Sequence, residues 1–309
     1  MNDPSTFRPR YTGIPSFMRL PVYSPEKPAD IAIIGVPFDG GVTNRPGTRH
    51  GPREVRNHSS LIRRVNQVTG AAPFEAAQVV DGGDVIIEHP YELVAAHGDI
   101  EAAFRDFRTA GVTALAVGGD HSITLPILRA LTGPDEPLGL VHIDAHCDTG
   151  DDYFGSRFQH GTPFRRAAEE GLIDPKRTIQ IGIRGSLSSA DQWQFSYDSG
   201  MRVMLIEEVY DRGILDTIAE ARNVVGAGPC YLSFDIDSVD PAFAPGTGTP
   251  EVGGFSSLEA LMLVRGLTGL DVVGADLVEV APPFDPTNNT AFLAANILFE
   301  QLCVLTGRK

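Results

Sequence analysis

Eight short apolar segments, rich in β-branched residues, recur along the chain, and each is followed by a stretch with helical periodicity. The segments lie at 31–36, 77–80, 113–117, 138–144, 178–183, 202–205, 231–236 and 272–277. The helical patterns run near 51–64, 91–110, 122–132, 162–171, 188–198, 207–224, 256–267 and 287–306. Strands that are apolar on both faces need cover on both faces, and regular alternation with helices supplies it. The pattern predicts an α/β protein built on a parallel sheet with helices on either side. Residues 31–309 are read as a single domain of this kind. Residues 1–30, rich in Pro and aromatics, read as an arm laid over the core or used as a subunit contact.

The formal charge of −15 argues against nucleic acid or an anionic membrane as a partner. Part of that charge has a chemical reading, because carboxylates that hold metal ions look uncompensated when only sequence is counted. Cys147, Cys230 and Cys303 are odd in number and widely spaced. They form no disulfide framework and fit a reducing cytoplasm. The N-terminal residues lack the apolar core of a signal peptide, and no apolar run approaches membrane-spanning length. The expected compartment is the cytosol.

In open parallel sheets, ligands bind beyond the carboxyl ends of the strands. The polar clusters of this chain follow predicted strands. The run Val141-His142-Ile143-Asp144-Ala145-His146-Cys147-Asp148-Thr149 sets Asp144, His146 and Asp148 at every second position. On an extended backbone all three would point the same way. Ionisable groups aimed at one point repel or desolvate one another unless a cation lies between them. Mixed oxygen and nitrogen ligands suit manganese, nickel or zinc. The alternative is a polar strand end whose side chains find backbone donors.

Two further segments complete the set. Gly118-Gly119-Asp120-His121 follows a predicted strand; the glycines permit a sharp turn, and His121 opens a helix. Alone, such a histidine is more often a cap or a packed residue. Asp235 and Asp237 again stand two apart at the end of an apolar strand, and paired like charges invite a cation. Asp240, before Pro241, reads as a turn or supporting residue. Summed, the candidate ligands are His121, Asp144, His146, Asp148, Asp235 and Asp237. Two ions ~3.5 Å apart could share Asp144 and Asp235. Four carboxylates balance two divalent ions, and an added hydroxide favours a cationic substrate.

This constellation resembles the ureohydrolase family of arginase, agmatinase and related guanidino-acid hydrolases. The resemblance spans nearly the whole chain and includes 118–121, 144–148, His160-Gly161, 233–241 and the loop 243–250. It implies a three-layer α/β/α sandwich on a mostly parallel eight-stranded sheet, with two manganese ions or, in some members, nickel. It implies that His121, Asp144, Asp148 and Asp235 hold one ion, and Asp144, His146, Asp235 and Asp237 the other. Water activated there attacks a guanidinium carbon, and Asp148 carries a proton to the departing amine. His160 matches a histidine that relays protons to solvent, and Glu279 one that pairs with the substrate guanidinium. Family members are usually trimers or hexamers, and a mixed assembly with a homologous subunit is a further arrangement.

Specificity is expected in the loop 150–159. Arginases have an asparagine where this chain has Gly150, so recognition of an α-amino acid is not implied. Tyr153, with Phe154 and Gly155, resembles the guanidinopropionase and guanidinobutyrase branch. So do Phe17-Met18-Arg19-Leu20-Pro21, Asn44-Arg45, the run 50–56 and Arg165-Arg166. Tyr153 points to 3-guanidinopropionate, cleaved to urea and an amine. Asn44 and Arg45 would approach the substrate tail or serve packing. Asp151 and Asp152 would favour a cationic tail such as that of agmatine, and Arg157 an acid tail. A nickel-dependent guanidine or biguanide hydrolase, a non-catalytic subunit and a one-zinc acyl-amide hydrolase are the other readings.

Overall fold

A computed structural model of the chain describes residues 9–308. Of the arm, residues 1–8 lie outside the described residues, as does Lys309. The strands are β1 (Ile31–Val36), β2 (Val79–Asp84), β3 (Thr113–Gly118), β4 (Leu138–Ile143), β5 (Ile173–Ile183), β6 (Arg202–Leu205), β7 (Cys230–Asp235) and β8 (Val272–Val278). They form one eight-stranded sheet in the order β2-β1-β3-β8-β7-β4-β5-β6. Every pairing is parallel, so the expected mostly parallel sheet is parallel throughout.

The helices are α1 (Gly51–His58), α2 (Pro73–Ala76), α3 (Leu93–Thr109), α4 (Thr124–Leu131), α5 (Pro163–Glu169), α6 (Gln194–Ser199), α7 (Ile206–Arg212), α8 (Ile214–Val225), α9 (Ser257–Gly266) and α10 (Asn289–Thr306). Strand alternation divides the core in two. Ile31, Ile33, Leu115, Val117, Val141 and Ile143 face one layer, with α8, α9 and α10. Ala32, Ile34, Ala114, Ala116 and Leu140 face the other, with α3, α4 and α5. Both faces of each central strand are therefore dry, and the three-layer sandwich follows.

Several boundaries differ from the sequence expectation, each for a local reason. The helix expected over 51–64 stops at His58, where a tighter turn, Ser59–Leu61, takes over. The Ser59 hydroxyl donates to the Arg56 carbonyl and accepts from the Met18 amide, tying the arm to this corner. The pattern at 207–224 is two helices, broken at Gly213, whose φ of 86° a side chain resists. Strand β5 begins at Ile173, ahead of the expected 178, because Ile173 pairs with Leu138 across a register shift. Of the expected 188–198 pattern only the second half is helical, as α6, which begins at Gln194 and runs one residue further, to Ser199.

The arm packs on the sheet edge. Phe17 and Met18 are buried, the Phe17 amide donates to Asp81, and Val22 bridges to Asp81. At the other end of the chain, α10 is long and apolar enough to cross a membrane by length and composition, with a mean hydropathy of 1.2, against the expectation that no run approaches that length. Its window is 78% buried inside the protein, so its apolarity serves the core. All three cysteines are buried and unbonded to one another.

Candidate metal centre

Four neighbouring strands, β3, β8, β7 and β4, end at one rim of the sheet and carry the site. His121 opens the tight turn after β3, Glu279 follows β8, Asp235 ends β7 and Asp144 follows β4. The crevice beyond these strand ends is where a parallel sheet leaves backbone and side chains free for a ligand.

The segment 144–148 converges by a route other than the expected one. Strand β4 stops at Ile143, and the chain bends through 144–146. The Asp144 carboxylate accepts the His146 amide at 2.7 Å, which folds the backbone back on itself. Asp148 sits in the left-handed region at φ 51°. A bend, rather than the alternation of an extended strand, aims Asp144, His146 and Asp148 together. Asp235 and Asp237 follow the same logic: Asp235 ends its strand and accepts the Asp237 amide at 2.8 Å, capping a one-turn helix that carries Asp237.

Two nests of ligand atoms share Asp144. In the first, His121 Nδ1 lies 3.0 Å from Asp148 Oδ2, 3.1 Å from Asp235 Oδ2 and 3.2 Å from Asp144 Oδ2. In the second, His146 Nδ1 lies 3.1 Å from Asp237 Oδ2 and 3.5 Å from Asp144 Oδ1. The four carboxylates and His121 are buried, and His146 is partly exposed. Asp235 is thus seen in the first nest; the expected sharing of Asp235 with His146 has no counterpart among these contacts.

The charges are balanced only by imidazoles. Burial, reinforced by Asp237 and Asp144, pushes Asp235 well above the usual carboxylate range. Burial and Asp144 raise Asp237 as well. Asp144 goes the other way: burial opposes it, yet His142, His121 and His146 hold it well below that range. His121 and His146 are raised far above the ordinary imidazole value by these carboxylates, against their own burial. Divalent cations would relieve the same repulsion without protonating the histidines.

The tautomer of His121 supports that fit. Ser233 Oγ donates to Asp276 Oδ1 at 2.7 Å, so at 2.8 Å from His121 Nε2 it accepts the ring N–H. In the neutral ring the Nδ1 lone pair then faces the carboxylate nest, and among the described residues no oxygen of the nest meets buried Nδ1 in hydrogen-bond geometry, although three lie 3.0–3.2 Å away. This orphaned donor atom, with four carboxylates converging on the same space, fits a pair of divalent ions.

Beside the nests stands Glu279. It is buried, in the left-handed region at φ 65°, with its amide bonded to Gly119 O. Its Oε1 accepts from the His121 amide and from His160 Nδ1, both at 2.9 Å. Its Oε2 is buried and has no hydrogen-bond partner among the described residues. A buried carboxylate oxygen without a donor is costly and calls for a cationic partner. His160 reaches Thr43 Oγ1 with its other nitrogen, at 2.9 Å, and ties its own amide to Gly41. Burial lowers the His160 pKa, but Glu279 outweighs it and raises the ring to about 9.

A model described as the arginase family matches residues 29–303. The chain belongs to the arginase family. A guanidinopropionase of Pseudomonas aeruginosa is 57% identical over 298 residues, covering 96% of this chain and 93% of that protein. A guanidinobutyrase of the same organism is 50% identical, over 97% of this chain and 94% of the relative. Among solved structures, proclavaminate amidino hydrolase from Streptomyces clavuligerus superposes with a TM-score of 0.92 at 41% identity, covering 97% of this chain and 99% of that one.

Several residues of this arginase-family site were not singled out from sequence. His142 shares the parity of 144, 146 and 148, a signal already present in the strand pattern. Its Nε2 lies 2.7 Å from Asp144 Oδ2, while Nδ1 accepts from Gln180. It therefore orients Asp144 through Nε2, although it also falls within reach of His121, Asp144 and Asp148. Ser233, Asp276, Thr43 and Thr249, whose hydroxyl bonds Asp237 at 3.1 Å, carry no sequence signal of their own, since their partners are far away in the chain. Asp240 is the turn residue expected, accepting from the amides of Ala242, Gly253 and Gly254.

The loop 150–159 is paired with helix α5. Asp151 is gripped by Arg166 at 2.8 Å, Arg165 at 3.2 Å and Arg157 at 3.7 Å. Arg157 also meets Glu169, and Asp152 accepts the Gly155 amide. Asp151 and Arg157 are thus ion-paired at the surface, with side chains 52% and 54% exposed. Tyr153 and Ser156 close a tight bridge, with the Tyr153 ring against Phe154. A Cβ on Gly150 would lie 3.0 Å from Gly161 O, so glycine here has a packing reason. Asn44 is exposed, and the Arg45 guanidinium lies 3.8 Å over the Phe284 ring.

Proposed function

We propose that this chain hydrolyses a small guanidino acid, 3-guanidinopropionate first, to urea and the corresponding amine. The observation that carries the reading is the unpaired Oε2 of Glu279 beside a buried nest of four carboxylates and two histidines. A guanidinium donating two parallel hydrogen bonds would satisfy that carboxylate and hold its carbon next to the nest. The 57% identical relative is named for guanidinopropionate, which supports the acid over other guanidines.

His121, Asp144, Asp148 and Asp235 would hold one divalent ion, and Asp144, His146 and Asp237 the other, with manganese the first candidate and nickel the second. Such ions supply Lewis acidity, which makes water nucleophilic near neutral pH. Within the protein, Glu279 fixes the guanidinium. Asp148 stands in the nest, placed to hold the proton that the departing amine needs. His160, bonded to both Glu279 and Thr43, is placed to pass protons outward.

The test is urea release from 3-guanidinopropionate, 4-guanidinobutyrate, agmatine, arginine, guanidine and a biguanide, with manganese and nickel loaded separately. The highest kcat/KM is expected for 3-guanidinopropionate. Replacing Tyr153 with a smaller residue is expected to shift preference towards the longer acid. A higher kcat/KM for agmatine, or a preference among the acids that Tyr153 substitution leaves unmoved, contradicts the assignment.

A further inference from the structure

Just past β5 lies a buried arginine that makes no ion pair among the described residues. Arg184 is 7% exposed, and its guanidinium is spent on main-chain carbonyls alone. Nη2 donates to Asp237 O and Glu251 O, each at 2.7 Å. Nη1 donates to Ser238 O at 3.1 Å and Gly182 O at 3.3 Å, and Nε to Val252 O at 3.2 Å. All the N–H groups of the guanidinium are used. Burying a cation without a counter-ion is costly unless every donor is satisfied, and here the satisfaction is complete.

Gly182 O lies in β5 itself, and the other four of the five carbonyls belong to two segments that meet at Asp237. One is the turn Ile236–Ser238, which carries Asp237 itself. The other is the loop 249–254, whose Thr249 hydroxyl bonds Asp237 Oδ2. Arg184 thus holds the backbone of Asp237 and, through the loop, the group that orients its carboxylate. Room for the guanidinium comes from Gly254, where a Cβ would lie 2.5 Å from Nη2. The first nest is supported differently: Ser233 and Asp276 hold His121, and His142 holds Asp144.

We propose that Arg184 is a positioning residue for one of the two ions, the one bound by Asp144, His146 and Asp237. The proposal rests on the metal reading above. Lysine cannot replace it, since an ammonium has three donors where five carbonyls need one each.

The experiment counts manganese per chain after gel filtration and titrates the ion by calorimetry. The wild type, Arg184→Ala, Arg184→Lys and Arg222→Ala are compared. Arg222 also caps carbonyls, those of Gly266 and Thr268, away from the site, and controls for loss of an arginine that only stabilises the fold. The wild type and Arg222→Ala are expected to keep two ions. Both Arg184 variants are expected to keep one and to bind the second ~10–100-fold more weakly. Excess manganese should then restore kcat in the Arg184 variants. If Arg184→Ala does not fold, Arg184→Lys decides, because it keeps the charge and most of the bulk. An unchanged second-ion affinity in Arg184→Lys, or equal loss of both ions, overturns the proposal. A wild type that binds no ion overturns the metal reading instead, and the proposal with it.

Discussion

Replacing Glu279 by glutamine keeps the side-chain shape and removes the charge. In the structure Oε1 accepts two bonds, from the His121 amide and His160, while Oε2 has none. A glutamine carbonyl can retain the first role. Its amide group then stands where Oε2 was and faces a guanidinium donor with another donor. Charge-assisted hydrogen bonds contribute about 1.5–3 kcal/mol each, and Oε2 has two free lone pairs, so losing the two bonds it can accept costs roughly 3–6 kcal/mol. At about 1.4 kcal/mol per tenfold, kcat/KM should fall by ~10²–10⁴. Urea release at saturating manganese measures it, alongside the metal content of the same sample. The metal count should stay at the wild-type value, because Glu279 touches His121 only through its amide. Activity within tenfold of wild type would refute the guanidinium role. A fall in activity that merely tracks lost metal would refute it equally.

Two other perturbations probe the supports of the site. Ser233→Ala leaves the buried His121 Nε2–H without an acceptor, which should cost about 1–3 kcal/mol of stability and ~10–100-fold in affinity for the ion at His121. Denaturant unfolding and manganese titration would show it, and an unchanged pair of values would exclude the Ser233–Asp276 relay as the holder of the ring. His160 tests the pH dependence. Its pKa rises from 6.5 to about 9 in the folded protein, so its pairing with Glu279 is fully stabilising below about pH 6.5 and is lost as pH rises through about 9. At about 1.4 kcal/mol per tenfold change in proton affinity, metal-free wild type should lose roughly 3 kcal/mol more than His160→Gln across that window. Parallel unfolding curves for the two proteins would count against the pairing.

Much of the site was legible because ligand residues cluster locally. Asp144, His146 and Asp148, or Asp235 and Asp237, stand within a few positions, and a strand end is recognisable from its apolar run. The geometry behind them was not. An extended strand and a bend both bring alternate residues together, and only the capture of the His146 amide by Asp144 shows which occurs. His142 was readable from its parity but competes with three better-known ligands beside it. The loop 150–159 was only partly legible, because nothing in the sequence shows that helix α5 brings Arg165 and Arg166 against Asp151.

What the sequence by itself determined is the layer architecture and the chemical class of the site. Strands apolar on both faces call for a covered sheet, and six His and Asp side chains grouped after strand ends are a set able to hold metal. What only the tertiary structure decided is the partner of each group: the relay from His121 through Ser233 to Asp276, the free oxygen of Glu279, and the five carbonyls on Arg184. Apart from the Gly182 carbonyl, those contacts join residues about 40 to 160 positions apart, and their distances depend on how neighbouring strands are ordered in the sheet. A pattern along one strand carries no record of which strand lies beside it, and for this site the order β3-β8-β7-β4 is the missing information.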